Sequence, residues 1–263
     1  MGMKYLKTSD IAKSVGIHPN TVRLYEKWGL LPEINRSPAG YRLFTHVHLN
    51  QVKLIRLAMK CTLFGREVKR TAYGIINSAA AERYGEALCM AIELEKMIDT
   101  ELSQAVEAEK FLERWAAESK QLAVLPDMPA GDTVCDDTAG GVSINSAAKM
   151  LHITIDMLRD WERNGLIQIP RNPDNGYRIY GPDEINRLRV IRALRRSNYS
   201  NMSILRAMKK LESGSTGGLR EVLDSPELDE DRGYLCFTDM LLTALNDAKA
   251  AVGEIIRLLK DWQ

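Results

Sequence analysis

The sequence repeats itself, and this duplication limits the folds open to the chain more than any other feature. A shift of 136 residues lays residues 6–70 onto residues 142–206 without a gap, with 14 identities among the 65 pairs. The identical positions include Gly29/Gly165 and Gly40-Tyr41-Arg42/Gly176-Tyr177-Arg178. A match that continues through two glycines and a turn indicates duplication of one folded unit. We call residues 6–70 the first repeat and residues 142–206 the second repeat.

Composition is that of a globular protein. The chain has 263 residues, of which 45% are hydrophobic and 27% are charged, close to the globular averages of about 45–50% and about 25%. No apolar stretch approaches the roughly 18 residues that a membrane span needs, and the N-terminus lacks the apolar core of a signal peptide. The four cysteines form no CxxC pair, so we expect no disulfide framework. These features together predict a cytoplasmic protein.

Charge is distributed unevenly, although the formal net charge is only +1. Residues 1–75 carry a net charge of +9 and residues 143–213 carry +6, whereas the rest of the chain carries −14. Basic blocks of domain size are typical of proteins that bind nucleic acid. Chance drift in composition is the alternative explanation.

Local patterns in the first repeat predict two short helices joined by a tight turn. We expect a helix over residues 9–15 with Ser9 as its N-cap, ended by Gly16, because serine favours the N-cap and glycine ends helices. A second helix would run from Pro19 to Trp28, since proline suits the first helical turn.

The remainder of the first repeat predicts a wing and further helices. Residues 30–44 contain prolines and a glycine, and we expect a two-stranded wing whose return strand is 41–44. Helices over residues 46–60 and about 66–77 would follow. A helix, a turn, a second helix and a wing on a basic block form a winged helix-turn-helix, whose second helix can enter the major groove of DNA.

Two further segments predict long helices. Residues 80–122 have no proline and a single glycine, and their apolar residues form an intermittent stripe, which is typical of one long amphipathic helix. Residues 234–262 have apolar residues at helical three-four spacing. Residues 123–142 are rich in proline, glycine and aspartate, which indicates a flexible linker.

The motifs of both repeats resemble those of the MerR family of transcription regulators. The first repeat contains Thr21-Val-Arg-Leu-Tyr-Glu-Lys-Trp-Gly-Leu-Leu followed by Gly40-Tyr-Arg-Leu-Phe. The second contains Leu158-Arg-Asp-Trp-Glu-Arg-Asn-Gly-Leu-Ile followed by Gly176-Tyr-Arg-Ile-Tyr. The resemblance implies a mainly α fold with two winged helix-turn-helix DNA-binding domains, each followed by a long amphipathic helix that forms an antiparallel coiled coil.

The predicted organisation has six segments. They are a first winged helix-turn-helix domain (1–77), a coiled-coil helix (78–122), a flexible linker (123–142), a second winged helix-turn-helix domain (143–213), a loop (214–233) and a C-terminal coiled-coil helix (234–263). Members of the family dimerise through the long helix, so pairing of 80–122 with 234–262 would give an intramolecular pseudo-dimer. A homodimer with four DNA-binding domains and two independent helical hairpins are the alternatives.

The resemblance also implies a function and partners. Such a protein binds double-stranded promoter DNA at the bacterial nucleoid and acts with RNA polymerase, by bending and untwisting the DNA between promoter elements. A DNA-architectural or recombination accessory protein is one alternative, because small excision factors use a similar DNA-binding domain. A protein-interaction module whose second repeat no longer binds DNA is another. The chain contains no GxxxxGK[ST], GxGxxG, HExxH or GxSxG motif, so we do not expect an enzyme.

The resemblance assigns DNA contacts to the second helix and the wing of the first repeat. The residues are His18, Asn20, Thr21, Arg23, Tyr25, Arg36, Tyr41 and Arg42. Thr21 and Arg23 would contact the groove and the phosphates, and Arg42 would be the wing arginine that contacts phosphate. Capping of the helix is the alternative for His18, and packing beneath the wing is the alternative for Tyr25. For Arg42 the alternative is a solvated charge on the strand.

The second repeat departs from the family pattern. Its counterparts are Arg159, Trp161, Arg163, Tyr177 and Arg178. Met157 replaces Thr21, while Asp156 and Asp160 add negative charge to the second helix. Because acids oppose phosphate, we expect the second repeat to have altered sequence preference and weaker DNA binding, and the operator to be asymmetric or pseudo-palindromic.

The sequence predicts no cofactor and no metal site. Its cysteines are Cys61, Cys89, Cys135 and Cys236, and neither paired spacing nor nearby histidines group them as metal ligands. Redox sensing through one exposed thiol is an alternative to a structural role for them. A small-molecule effector between the long helices and the DNA-binding domains is an alternative to core packing. Its lining would be Leu88, Met90, Met97, Trp115 and Trp262.

Overall fold

The described residues of the computed structural model, 5–124, 141–213, 215, 218–224 and 240–262, are mainly helical. The helices are α1 (Thr8–Ser14), α2 (Pro19–Lys27), α3 (His46–Cys61), α4 (Arg66–Ala80), α5 (Tyr84–Val124), α6 (Ile144–Leu151), α7 (Ile155–Arg163), α8 (Pro182–Arg196), α9 (Asn201–Glu212), α10 (Leu219–Leu223) and α11 (Leu241–Asp261). The mainly α fold predicted from the sequence is confirmed.

The chain divides into two compact units. Unit 1 comprises Met1–Leu102 with Thr243–Gln263, and unit 2 comprises Ser103–Leu242. The first repeat therefore lies in unit 1 and the second in unit 2. Helix α5 contributes its first half to unit 1 and its second half to unit 2.

Helix α1 begins earlier than the sequence predicts. Its N-cap is Lys7, whose backbone N–H donates to the carboxylate of Asp10 at 2.9 Å. The expectation that Ser9 caps this helix is therefore wrong, because an acidic side chain three residues into the helix already occupies the N-cap donor. At the other end Gly16 adopts a φ of +65°, and the N–H of Ile17 donates to the oxygen of Ala12 at 3.0 Å.

The turn after the second helix has the same geometry in both repeats. Gly29 and Gly165 adopt φ values of +68° and +75°. The next residue in each repeat, Leu30 or Leu166, donates its N–H at 3.0 Å to a carbonyl five residues earlier. A left-handed glycine after the last helical turn is the usual way to satisfy such carbonyls, and it turns the chain toward the wing.

Replacing glycine by alanine should have opposite effects on stability at this turn and at an ordinary helical position. We expect Gly29→Ala to lower the free energy of unfolding by about 1–2 kcal/mol, because an L side chain is disfavoured at positive φ. Gly253→Ala in α11 should raise it by roughly 0.5–1 kcal/mol, since alanine is the better helix former and nothing lies within 4 Å of the added Cβ. Chemical denaturation followed by circular dichroism measures both; a stabilising Gly29→Ala would contradict the assigned turn.

The wing does not form the predicted pair of strands among the described residues. Arg36 pairs with Arg42 in the first repeat and Arg171 with Arg178 in the second, and among the described residues each pair is an isolated antiparallel bridge. The predicted return strand 41–44 is therefore too long. Between the paired residues of each repeat lie one proline and one glycine, which leave few backbone groups in position for a ladder.

The alignment of the two repeats shifts by one residue inside the wing. The N–H of Ser37 donates to the oxygen of Tyr41 at 2.8 Å, and the N–H of Asn172 donates to the oxygen of Tyr177 at 2.8 Å. Ser37 thus corresponds to Asn172 rather than to the residue 136 positions later, and Arg36 corresponds to Arg171. The ungapped alignment is wrong here. The second repeat has one residue fewer between the glycine after the second helix and the first paired arginine, and one residue more between its two paired arginines.

Helices α5 and α11 run antiparallel within unit 1. Near one end the rings of Tyr84 and Trp262 meet edge to face at 5.4 Å. Further along, Lys249 Nζ lies 2.7 Å from Asp99 Oδ1. The fully buried apolar residues of these two helices include Leu94, Ile98, Val252, Ile255 and Leu259, so both helices contribute to the apolar core of unit 1.

Helix α4 is longer and helix α5 begins later than predicted. Helix α4 continues to Ala80 because its last residues are alanines, which favour helix. Glu82 then adopts a φ of +59°, and α5 begins at Tyr84. The predicted start of the long helix within residues 78–80 is therefore wrong, although one long helix follows.

The second half of α5 packs on the second repeat within unit 2. The hydroxyl of Ser197 donates to the oxygen of Gln104 at 3.0 Å, and the hydroxyl of Tyr199 donates to the oxygen of Ala105 at 3.4 Å. Burial raises the pKa of the Tyr199 hydroxyl. Glu109 is also buried, and burial raises the pKa of its carboxyl more than the nearby guanidinium of Arg220 lowers it.

Several predictions concern segments outside the described residues. These are most of the linker 123–142, most of the loop 214–233, residues 234–239 of the predicted C-terminal helix, and Cys135 and Cys236. Within the described ranges, no helix is both long and apolar enough to cross a membrane.

Candidate nucleic-acid interface

One carboxylate fastens the wing of the first repeat to helix α2. Glu26 Oε2 lies 2.5 Å from Arg42 Nε, and Glu26 Oε1 lies 3.1 Å from Arg36 Nη2. The side chains of Glu26 and Arg42 are only 21% and 29% exposed, so this contact is shielded better than a surface ion pair. The same groups line an open groove of about 730 Å³, together with Asn20 and Arg23 of α2.

The second repeat has the same arrangement. Glu162 Oε2 lies 2.6 Å from Arg178 Nε, and Glu162 Oε1 lies 3.8 Å from Arg171 Nη2. Glu26 and Glu162 are identical positions of the alignment, but no role is predicted for either of them from the sequence. The signal that could have revealed it is a glutamate followed 16 residues later by the arginine of the Gly-Tyr-Arg motif in both repeats.

Removal of this carboxylate should measurably destabilise unit 1. We expect Glu26→Gln to lower the free energy of unfolding by about 1 kcal/mol, because two charge-assisted hydrogen bonds are weakened at a partly buried site. The matched control is Glu67→Gln, which breaks the pair with Arg70 where both side chains are more than 70% exposed, and it should change stability by about 0.5 kcal/mol or less. Equal losses in a denaturation experiment would show that Glu26 does not anchor the wing.

Helix α2 exposes cationic and polar groups beside the wing. Arg23 is exposed, and its Nη1 donates to Asn20 Oδ1 at 2.7 Å. Because asparagine is neutral, this hydrogen bond orients the guanidinium without neutralising it. Tyr41 at the tip of the wing is 75% exposed, whereas Thr21 is half-buried.

Three residues that the resemblance assigns to DNA lie in capping or packing positions. His18 is the N-cap of α2, where its Nδ1 accepts the N–H of Asn20 at 3.2 Å, as the capping alternative predicts. Tyr25 is only 6% exposed, and Trp161 in the second repeat only 3%. Burial of both rings favours packing over contact with phosphate.

The cations of helix α7 in the second repeat have acidic partners. Arg159 Nη1 lies 3.6 Å from Asp156 Oδ1, and Arg163 Nη1 lies 4.0 Å from Asp160 Oδ1. Met157, in the position of Thr21, is 40% exposed. The wing tip is nonetheless retained, since Tyr177 is 74% exposed. The surface of α7 is therefore less cationic than that of α2.

Two of the residues considered for an effector site, Trp262 and Met97, make other contacts. The ring of Trp262 packs on Tyr84, and the sulfur of Met97 accepts a weak hydrogen bond from Thr71 Oγ1 at 3.9 Å. Cys61 is buried, and burial raises the pKa of its thiol to about 12, while Cys89 is exposed. In the part of the chain that the structure describes, no group of three or more His, Cys, Asp or Glu residues is placed to hold a metal ion.

Comparison with known proteins identifies a family whose model matches both repeats, and several relatives. The family described as "MerR HTH family regulatory protein" matches residues 6–62 and 142–211. The HTH-type transcriptional regulator CueR of Salmonella typhi is 42% identical over 53 residues, which are 20% of this chain and 38% of that protein. The mercuric resistance operon regulatory protein of Bacillus cereus is 32% identical over 54 residues, 20% of this chain and 40% of that protein.

A third relative shares a longer segment. The probable heavy metal-dependent transcriptional regulator of Haemophilus influenzae is 32% identical over 81 residues, 31% of this chain and 62% of that protein. The chain thus spans less than two thirds of the length of each of these relatives. No solved structure matches the chain.

Proposed function

The chain is a MerR-family regulator with two MerR-type helix-turn-helix regions, and from this premise we propose that a single chain binds one promoter operator in double-stranded DNA through both repeats. The observation that carries the proposal is the exposed Arg23 of α2, oriented by a neutral partner beside a wing that Glu26 holds in place. Helix and wing together offer cations to the groove and to the flanking phosphates.

The two repeats contribute unequally to this binding. The first repeat provides most of the affinity, because Arg23 has an uncharged partner. The second binds more weakly, because Asp156 and Asp160 reduce the positive potential of α7 and repel phosphate. An operator with two dissimilar half-sites follows from this asymmetry.

A covalently linked pair of repeats takes the place of a dimer. Antiparallel pairing of α5 with α11, marked by Tyr84 against Trp262 and Asp99 against Lys249, supports an intramolecular pseudo-dimer. In this arrangement the chain binds two half-sites and bends and untwists the DNA between them. The deformed DNA allows RNA polymerase to engage both promoter elements. Such deformation costs several kcal/mol, which contacts at both half-sites offset.

Selection from a random duplex library, followed by gel mobility of circularly permuted fragments, tests the proposal. We expect a selected site with two unequal halves, a bend centred between them, and an altered yield of transcript when RNA polymerase is added to a template that carries the site. Absence of any selected sequence at physiological salt would refute promoter binding. A selected site without a bend would refute the proposed mechanism alone.

A further inference from the structure

A groove in unit 2 lies between the second half of α5 and helix α8. Its volume is about 620 Å³, within the range of roughly 300–1,000 Å³ typical of small-molecule sites. Lys110, Phe111 and Arg114 line it from α5, while Ala193 and Arg196 line it from α8. None of these lining residues is among those assigned to DNA.

Three cationic side chains line this groove, and none of them has an ion-pair partner among the described residues. Lys110 and Arg114 are four residues apart on α5, and Arg196 faces them from α8; all three are exposed. Like charges at this helical spacing repel each other. Glu107 supplies one carboxylate to the lining, so the four side chains leave a net positive charge.

Other arginines of α8 are used within the protein. Arg187 Nη2 lies 2.6 Å from Glu212 Oε1, and Arg195 Nη1 donates to the oxygen of Tyr199 at 2.6 Å. Attraction to the C-terminal end of the α8 dipole accounts for a cation at Arg196. It does not account for Lys110 and Arg114, which lie in the interior of α5.

The two walls of the groove are fixed to each other. The hydroxyls of Ser197 and Tyr199, which directly follow α8, donate to the carbonyls of Gln104 and Ala105 on α5. Tyr199 is fully buried. The two helices that carry the three cations are therefore fixed before a ligand binds, which lowers the entropic cost of binding.

We propose that this groove binds a small organic anion that carries two or more phosphate or carboxylate groups. Two anionic groups would bridge Arg196 on α8 to Lys110 and Arg114 on α5, and the ring of Phe111 would contact the organic part of the ligand. Arginine recognises phosphate and carboxylate through paired hydrogen bonds. Because the bound anion would neutralise Arg196 on α8 of the second repeat, it would lower the positive potential of that repeat and weaken its DNA binding; this regulatory step rests on the proposed function, whereas binding of the anion does not.

Calorimetric titration of the full chain with inorganic pyrophosphate, without DNA, tests the site. We expect saturable binding of one pyrophosphate per chain, and the double variant Arg114→Glu/Arg196→Glu should raise its Kd by about tenfold or more. The control Lys260→Glu reverses an exposed charge on α11 and should leave the Kd within about twofold. Circular dichroism verifies that each variant is folded.

Three results would overturn the proposal. The first is absence of saturable binding at millimolar pyrophosphate, and the second is an unchanged Kd in the double variant. The third is stoichiometric displacement of pyrophosphate by an unrelated DNA duplex, since the groove would then be a contact for DNA. All three are independent of promoter recognition, so failure of this site is distinguishable from failure of the proposed function.

Discussion

Replacing Arg23 and Arg42 together by alanine should weaken operator binding by about a hundredfold or more. A charge-assisted hydrogen bond contributes about 1.5–3 kcal/mol, and each 1.4 kcal/mol is tenfold in affinity. Glu26 engages Nε of Arg42, which leaves its two Nη groups available for phosphate. Fluorescence anisotropy of a labelled operator at fixed salt measures the loss, and Arg257→Ala, at an exposed arginine of α11, is the control.

The corresponding double variant of the second repeat should lose much less affinity for the operator. Replacing Arg159 and Arg178 by alanine removes the same two positive charges, but Asp156 already partly neutralises Arg159. We therefore expect a decrease in affinity of about tenfold. Equal losses in the two repeats would show that the acids of α7 do not weaken the second repeat, and no loss at all would show that this repeat has given up DNA.

The second large effect concerns the apolar core of unit 1, to which α5 and α11 contribute. Ile98→Ala on α5 and Ile255→Ala on α11 should each lower the free energy of unfolding of unit 1 by about 2–5 kcal/mol, because both side chains are fully buried and truncation leaves a cavity. The matched control is Ile92→Ala on α5, where the side chain is 39% exposed; it should cost about 1 kcal/mol or less.

Urea denaturation followed by circular dichroism measures these losses. If the two helices pair within one chain, the midpoint for the unsubstituted protein should not depend on protein concentration. A midpoint that rises with concentration would indicate pairing between chains. Similar losses for Ile92→Ala and Ile98→Ala would contradict the assigned packing face of α5.

The duplication and the helices could be predicted because they depend on local sequence. Periodic apolar residues and two glycines suffice to locate α2 and α3 to within a residue, and the shift of 136 residues carries the same result to α7 and α8. The predicted ends of helices were less accurate where a single residue determines where the helix begins or ends. Asp10 sets the start of α1, and Glu82 in a left-handed conformation separates α4 from α5.

The interface could be predicted less completely than the fold. Exposure of Arg23 and Tyr41 agrees with their expected place on the surface, but motif resemblance does not distinguish a buried ring such as Tyr25 from one that faces a ligand. The contacts of Glu26 with Arg36 and Arg42 join residues 10 and 16 positions apart. Only the folded wing brings these groups together, so no local pattern indicates the contact.

The number of chains on one operator tests the central claim most directly. Light scattering of the pure protein, free and bound to a duplex that carries a single operator, gives this number. We predict a free mass near 29.6 kDa and one chain per duplex, with both repeats protected in a footprint of two half-sites. A free mass of two chains, or two chains on each duplex, would contradict the account that one polypeptide supplies both DNA-binding repeats.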